Sequence, residues 1–271
     1  MTYNEKVELA KDPNTPKEVL KKLSKDEDWY IISCVASNQS TPLETLIILS
    51  KDEDLDIRES VAKNPNTPID VLTTLSKNKN WYVRKCVALN SNTPIDILTT
   101  LSKDTDFDVR FGVAGNPNTP INILQELSKD KNWYVRMFVA GNPNTPIEIL
   151  QELSKNEDWV IRTHVAANPN TPKEALITLS KDKFEDVNKI ALKRLEELNS
   201  PKNKIESTES KISNNKTTLN ELFKEKQIDP NSKVGLELLK VYNDTHDKLK
   251  IELEELKTQV VDIAIGDFND R

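Results

Sequence analysis

Glycine is scarce in this chain, at five residues in 271, and cysteine and histidine occur twice each. So few glycines leave little material for a phosphate-cradling loop. Two cysteines build neither a disulfide framework nor a four-ligand metal or iron–sulfur site. No apolar run approaches the roughly 20 residues that a bilayer-spanning helix requires. Met1-Thr2-Tyr3-Asn4-Glu5-Lys6 lacks the basic-then-apolar pattern of a secretion signal. A basic excess is missing too. The formal net charge is −6, and residues 1–200 and 201–271 are each acidic in balance, which disfavours a phosphate backbone as partner. The expectation is a cytoplasmic protein, or part of a particle assembled in the cytoplasm, with no membrane span. No nucleophile–base pair or metal-ligand spacing is present, so catalytic residues, metal and cofactor are all expected to be absent.

What the sequence does have is a repeat. Thr-Pro recurs with its prolines at Pro16, Pro42, Pro68, Pro94, Pro120, Pro146 and Pro172, always 26 residues apart. Trp29, Trp81, Trp133 and Trp159 share a second phase, with Tyr3, Leu55 and Phe107 in the remaining units. A third phase holds Arg58, Arg84, Arg110, Arg136 and Arg162, preceded by Lys6 and Ile32. Seven units follow, each with two helix signals. Thr67 reads as a helix cap with Pro68 at the first helical position, and Glu18, Glu44, Glu148 and Glu174 stand three residues after their threonines, the spacing of a capping box. Leu72 and Leu75 share a face, as do Val83 and Val87 in the other helix. Each helix has about ten residues to work with, and one is short enough to wind as 3₁₀. A single unit cannot bury its apolar side, so neighbours must stack. Residues 186–195 keep the helix phase without a following Asn-Pro-Asn-Thr-Pro and read as the capping end.

The Asn-Pro-Asn-Thr-Pro and Leu-x-x-Leu segments, followed by Asp-x-x-x-x-Val-Arg-x-x-Val-Ala, resemble the leucine-rich-repeat-variant family, itself close to HEAT repeats. The likeness covers residues ~3–198. It implies an all-α fold, a right-handed α-solenoid with concave and convex faces, and no particular reaction. HEAT-like units pair an Asp with an Arg six positions later. Asp52/Arg58, Asp104/Arg110 and Asp130/Arg136 match, while Asn78 and Asn156 stand before Arg84 and Arg162. Asn38, Asn64, Asn90, Asn116, Asn142 and Asn168 are placed for a second ladder, through backbone hydrogen bonds. The family's iron–sulfur cluster sits in an N-terminal cysteine cluster that this chain lacks, so that cofactor is not carried over. Some HEAT-like proteins are DNA glycosylases that use tryptophans in a basic groove. Here the tryptophans recur in phase, as packing residues do, and the charge is acidic.

Positions that vary between repeats are where a partner is expected. On the Thr-Pro helix, Ile47 and Ile48 are apolar where their counterparts are mostly polar, which suits a contact patch or packing under a loop or the tail. A second candidate partner-binding set is Tyr30, Tyr82 and Tyr134, which alternate with Asp56 and Asp108; tyrosine is favoured at interfaces, and pairwise duplication also explains the pattern. Cys34, Cys86 and His164 share one phase and read as buried or interface residues.

After residue 198 the composition shifts to Ser, Asn and Lys, with Pro201 at the boundary. Residues 199–231 read as polar linker and weak helix, with Ile205, Ile212 and Leu219 seven apart but Thr208 and Asn215 between them. Residues 232–271 carry an a/d seam: Leu239, Tyr242, His246, Leu249, Leu253, Leu256, Val260 and Ile263. Either the weak helix folds back on this seam or the seam binds a second copy or another chain; intermolecular association is the preferred expectation. The whole reads as a non-catalytic protein–protein interaction scaffold. Its tail would oligomerise it or dock it into a larger assembly, such as a phage or bacterial structural complex. The alternatives are a regulatory adaptor or a HEAT-like nucleic-acid-binding protein.

Overall fold

A computed structural model describes residues 1–225, 230 and 232–269. The described residues are all-α, without a strand. Seven helix pairs repeat along residues 1–191. The first member of each pair, called here the A helix, has nine residues: α1 (Tyr3–Lys11), α3 (Trp29–Ser37), α5 (Leu55–Lys63), α7 (Trp81–Leu89), α9 (Phe107–Gly115), α11 (Trp133–Gly141) and α13 (Trp159–Ala167). The second, the B helix, has seven: α2 (Lys17–Leu23), α4 (Leu43–Leu49), α6 (Ile69–Leu75), α8 (Ile95–Leu101), α10 (Ile121–Leu127), α12 (Ile147–Leu153) and α14 (Lys173–Leu179). Helix α15 (Glu185–Asn199) follows. Both members of each pair are α-helical, so neither winds as 3₁₀. Four-residue hydrogen bonds such as Leu72 N–H to the Pro68 carbonyl, at 3.0 Å, close even the short B turns.

The B-helix start differs from the expected capping box. Proline itself occupies the cap position, with ψ of 140–154°, and supplies no side-chain acceptor. The threonine before it turns inward instead: the Thr41 and Thr119 hydroxyls donate to the carbonyls of Val35 and Val113, each at 2.6 Å. Thr41 and Thr119 thereby tie the B start to the A helix before it, and Glu18, Glu44, Glu148 and Glu174 fall in the first turn without a reciprocal partner. The true box is at Thr2 and Glu5 of α1. Later A helices are capped by Asp28, Asp54, Asn80, Asp106, Asn132 and Asp158, whose side chains accept from the second helical N–H.

The core is laid down by phase. Ile57, Val61 and Ala62 of α5 are buried against Leu72 and Leu75 of α6, and the second to seventh units repeat this set, whereas α1 carries an exposed Glu5 and a half-buried Leu9 at the first two positions and buries only Ala10. Ala36, Ala62, Ala88, Ala114, Ala140 and Ala166 are fully buried on successive A helices. Successive A helices approach closely, whereas B helices do not pack on one another to a comparable extent. The stack therefore bends toward the A row and leaves the B row on its outer side.

Two polar ladders tie the units. Each Asn that ends an A helix inserts its amide into the previous turn: Asn116 Nδ2 donates to the Ala88 and Asn90 carbonyls at 2.7 and 2.9 Å, and Asn38, Asn64, Asn90, Asn142 and Asn168 do likewise. The arginine ladder runs otherwise than the six-residue Asp–Arg pairing implies. Arg84, Arg110 and Arg162 reach forward twenty residues to the carboxylates of Asp104, Asp130 and Asp182, each at 2.6 Å, and Lys6 meets Asp26 in the same way. Six residues back from Arg110, the contact is to the backbone carbonyl of Asp104, because the Asp104 carboxylate is already held by the Asp106 N–H of its own loop and by Arg84 of the preceding unit.

The tryptophans pack at the rim of the stack and not in its centre. Trp29 is 49% exposed, and Trp81 and Trp159 are 38% exposed, because the first helical position falls off the apolar stripe. Their rings rest edge-on or stacked against Tyr30, Tyr82 and Phe184.

Residues 192–271 form a second compact unit. In it α16 (Pro201–Glu225) packs along α17 (Lys233–Asn269), as in the hairpin of the two expected arrangements. Thr208, which looked unsuited to a seam, is only 2% exposed; a helix-borne threonine is small enough to lie beneath a facing helix. Leu256 is buried, and Leu239, Tyr242, His246, Leu249 and Leu253 are half-buried. The side chains of Asn215, Val260 and Ile263 lie outside the described residues.

Candidate protein-interaction surface

The outer B row presents a feature that the sequence reading passed over. The residue just after each Thr-Pro is aliphatic in the five inner repeats: Leu43, Ile69, Ile95, Ile121 and Ile147. These side chains are between 49 and 59% exposed. At the two end repeats the same position carries Lys17 and Lys173, on helices that start from the same proline conformation. The fold therefore accepts a polar residue there, and the inner aliphatic row answers to something other than stacking. Its signal was present in the sequence as a contrast between inner and end repeats.

Ile47 and Ile48 belong to this surface. Ile47 lies one helical turn after Leu43 on α4, and Ile48 is the most exposed of the group at 67%. Between the Pro120-Ile121 and Pro146-Ile147 steps lies a groove of about 580 Å³, floored by Thr119, Pro143 and Asn144. Next to the aliphatic row stand Glu44, Asp70, Asp96 and Glu148. Acids at a helix start are favoured by the helix dipole, but Glu126 and Glu152 occupy the penultimate position of α10 and α12, where it opposes them. The five inner B helices hold no Lys or Arg. Lys51, Lys77, Lys103, Lys129 and Lys155 are exposed in the turns beyond the B helices, about 12 Å along the chain from the aliphatic row at 1.5 Å per residue.

Tyr30, Tyr82 and Tyr134 do not join this surface, since they sit at the second position of A helices. The Tyr30 hydroxyl accepts from Lys11 Nζ at 3.0 Å, and lysines also lie over the Tyr82 ring. Tyr134 packs on Trp133 at 3.8 Å between ring centroids. Further along the A row, Gly115, Met137, Phe138, Gly141 and His164 line a pocket of about 280 Å³. His164 is half-buried and holds the Val160 carbonyl through Nδ1 at 2.9 Å. Because a carbonyl only accepts, Nδ1 carries the proton and a neutral ring leaves Nε2 as an acceptor. Among the described residues no group of three His, Cys, Asp or Glu side chains is placed to hold a metal, and no helix is long and apolar enough to cross a membrane.

No family model matches the chain, and no curated protein matches it. Among solved structures it is similar to a leucine-rich repeat variant with a novel repetitive protein structural motif. The identity is 27%, the match covers 71% of this chain and 81% of that one, and the TM-score is 0.48.

Proposed function

We propose that this chain is a non-catalytic protein-interaction scaffold that holds a partner along the outer row of B helices. The supporting observation is the exposed aliphatic row of the five inner repeats, bounded by Lys17 and Lys173 at the same position of the end repeats. Apolar side chains kept exposed where the fold tolerates lysine are the mark of a binding surface. A stack of seven pairs offers such a surface at little cost, because each unit needs only its neighbours for stability. The tail extends the reading. The α16–α17 hairpin docks the scaffold into a larger assembly, such as a phage particle or another bacterial complex, through residues left exposed on α17, namely Leu236, Val241 and Ile251.

The test uses the whole chain immobilised beside its Ile69→Lys/Ile95→Lys/Ile121→Lys variant, both exposed to lysate of the source. One discrete protein retained by the first and lost from the second is the expected result. Retention that the substitutions leave unchanged, or of nuclease-sensitive material alone, overturns it.

A further inference from the structure

The aliphatic row runs beside carboxylates and away from cations, and the B row is the outer side of the bend. From these relations we infer that the occupant is an extended, basic and apolar segment of another protein, laid lengthwise across the B helices. The inference rests on the scaffold reading and names the partner's chemistry.

Charge selects the sign. Six carboxylates (Glu44, Asp70, Asp96, Glu126, Glu148 and Glu152) lie on the five inner B helices, with no basic residue among them. The dipole accounts for those in the first turn, but it works against Glu126 and Glu152 at the far end. No ion pair engages any of the six among the described residues. An anionic partner would meet this field at once, while Lys or Arg side chains placed between aliphatic contacts would complement it.

Shape selects the form. Close approach of the A helices and wider separation of the B helices make the B side the outer one. Two copies meeting through outwardly curved faces would touch over a short length, leaving most of the row uncovered. A flexible chain follows the curve. The B helices stand at least as far apart as the roughly 8–10 Å of packed helices, a step that a polyproline-type chain, at about 3 Å per residue, covers in about three to four residues. A segment with an apolar and a basic residue in every three or four would therefore meet each repeat in turn. The groove between Pro120-Ile121 and Pro146-Ile147 has room for such a side chain.

The experiment measures fluorescence anisotropy of a labelled peptide of five Lys-Val-Pro units titrated with the whole chain, beside five Glu-Val-Pro and five Lys-Ser-Pro units. The expected result is binding of the first at least tenfold tighter than either control, weakened at least tenfold by Ile69→Lys/Ile95→Lys/Ile121→Lys. That variant should keep its circular dichroism and melting temperature, because lysine already occupies the position at both ends. Asp70→Lys/Asp96→Lys, which leaves the aliphatic row intact, should move the preference toward the glutamate peptide. Equal binding of the Lys-Val-Pro and Lys-Ser-Pro peptides overturns the inference, since charge alone would explain it. So does a preference of the unsubstituted chain for glutamate, an absence of binding, or a concentration-dependent dimer that the triple substitution abolishes. If the triple variant loses a captured partner while the peptides fail, the scaffold reading stands and only the partner's chemistry falls.

Discussion

Arg110 holds Asp130 through two nitrogens, Nε at 2.6 Å and Nη2 at 3.0 Å, while its third, Nη1, turns back to the Asp104 carbonyl at 2.9 Å. One side chain thus spans the loop before its own helix and the loop after the next, and both partners are nearly buried. The same clamp forms at Arg84 and Arg162. At Arg58 and Arg136 the position twenty residues ahead is Asn78 or Asn156, and the two guanidinium groups keep only their backward carbonyl contacts. Arg58 Nε is buried with no hydrogen-bond partner.

Restoring the missing acid should strengthen the stack. Asn78→Asp offers Arg58 a carboxylate, and it preserves the side-chain acceptor that Asn78 gives to the Asn80 N–H. We expect a gain of about 1 kcal/mol, read as a rise in melting temperature of a few degrees. Asn156→Asp should act alike through Arg136. No change in either variant would mean that the clamp is geometry without net stability.

The clamps also set an acid limit. The Arg162 hydrogen bond holds the Asp182 carboxyl below the ordinary range. At Asp104 and Asp130 burial pushes upward, but the arginine partner and a loop N–H outweigh it, so both end lower as well. A depressed folded value contributes stability that is present above the unfolded carboxylate value, about 4, and is lost as pH falls through the folded one. Urea midpoints should therefore hold from pH 7 to about 5 and drop below 4. Asp104→Asn/Asp130→Asn, carrying the residue that Asn78 and Asn156 already supply, should start lower and fall less steeply over that window; an unchanged slope counts against the assignment.

The asparagine ladder predicts a larger loss at one site. Asn116 is 0% exposed and donates to two carbonyls while its Oδ1 accepts from the Asn118 N–H at 2.8 Å. Asn116→Ala strands all three backbone groups, at a cost of about 2–4 kcal/mol. Hydrogen exchange should show lost protection in α7 and α9 before the distant repeats. Uniform loss along the stack would contradict a nearest-neighbour ladder.

Two glycines should respond in opposite directions to alanine. A Cβ on Gly112 would lie 3.0 Å from Ala88 Cβ and 3.3 Å from the Lys85 carbonyl, neither of which can rotate away. Gly112→Ala should cost about 1–3 kcal/mol. At Gly141 the nearest atom is His164 Cδ2 at 3.5 Å, an ordinary contact. There alanine should gain about 0.5 kcal/mol from helix propensity, and thermal melting of the pair separates the two.

The thiols should be slow. Burial raises both, with Cys86 pushed up to about 11 and Cys34 raised for the same first reason. At pH 8, Ellman's reagent should reach Cys34 first and Cys86 only on opening of the stack. Equal rates would show that the α7 environment is looser than its packing implies.

The strict 26-residue spacing made the helix pairs, their core leucines and valines and the asparagine ladder legible in the sequence. Each depends on contacts between a residue and its counterpart one unit away, and translation of one unit is what a periodic sequence encodes. The heptad spacing of Leu239, Leu249, Leu253 and Leu256 likewise marked a helix with one apolar edge. It did not say what covers that edge, because α16 offers Ile205, Thr208 and Ile212, and only side-by-side packing shows that a threonine is small enough to serve.

By itself, then, the sequence determined the unit, the number of copies and the residues that face inward, since hydrophobic period and turn chemistry act over a few residues. Tertiary structure decided the rest. It selected the acid twenty residues ahead as partner for each arginine and made proline, not threonine, the cap of the B helices. It left the tryptophans half open and set Leu43, Ile69, Ile95, Ile121 and Ile147 on the outer row. These outcomes depend on the direction in which a side chain leaves its helix and on the curvature of the stack. Both arise only when seven nearly identical units press against one another, with the A helices packed closer than the B helices.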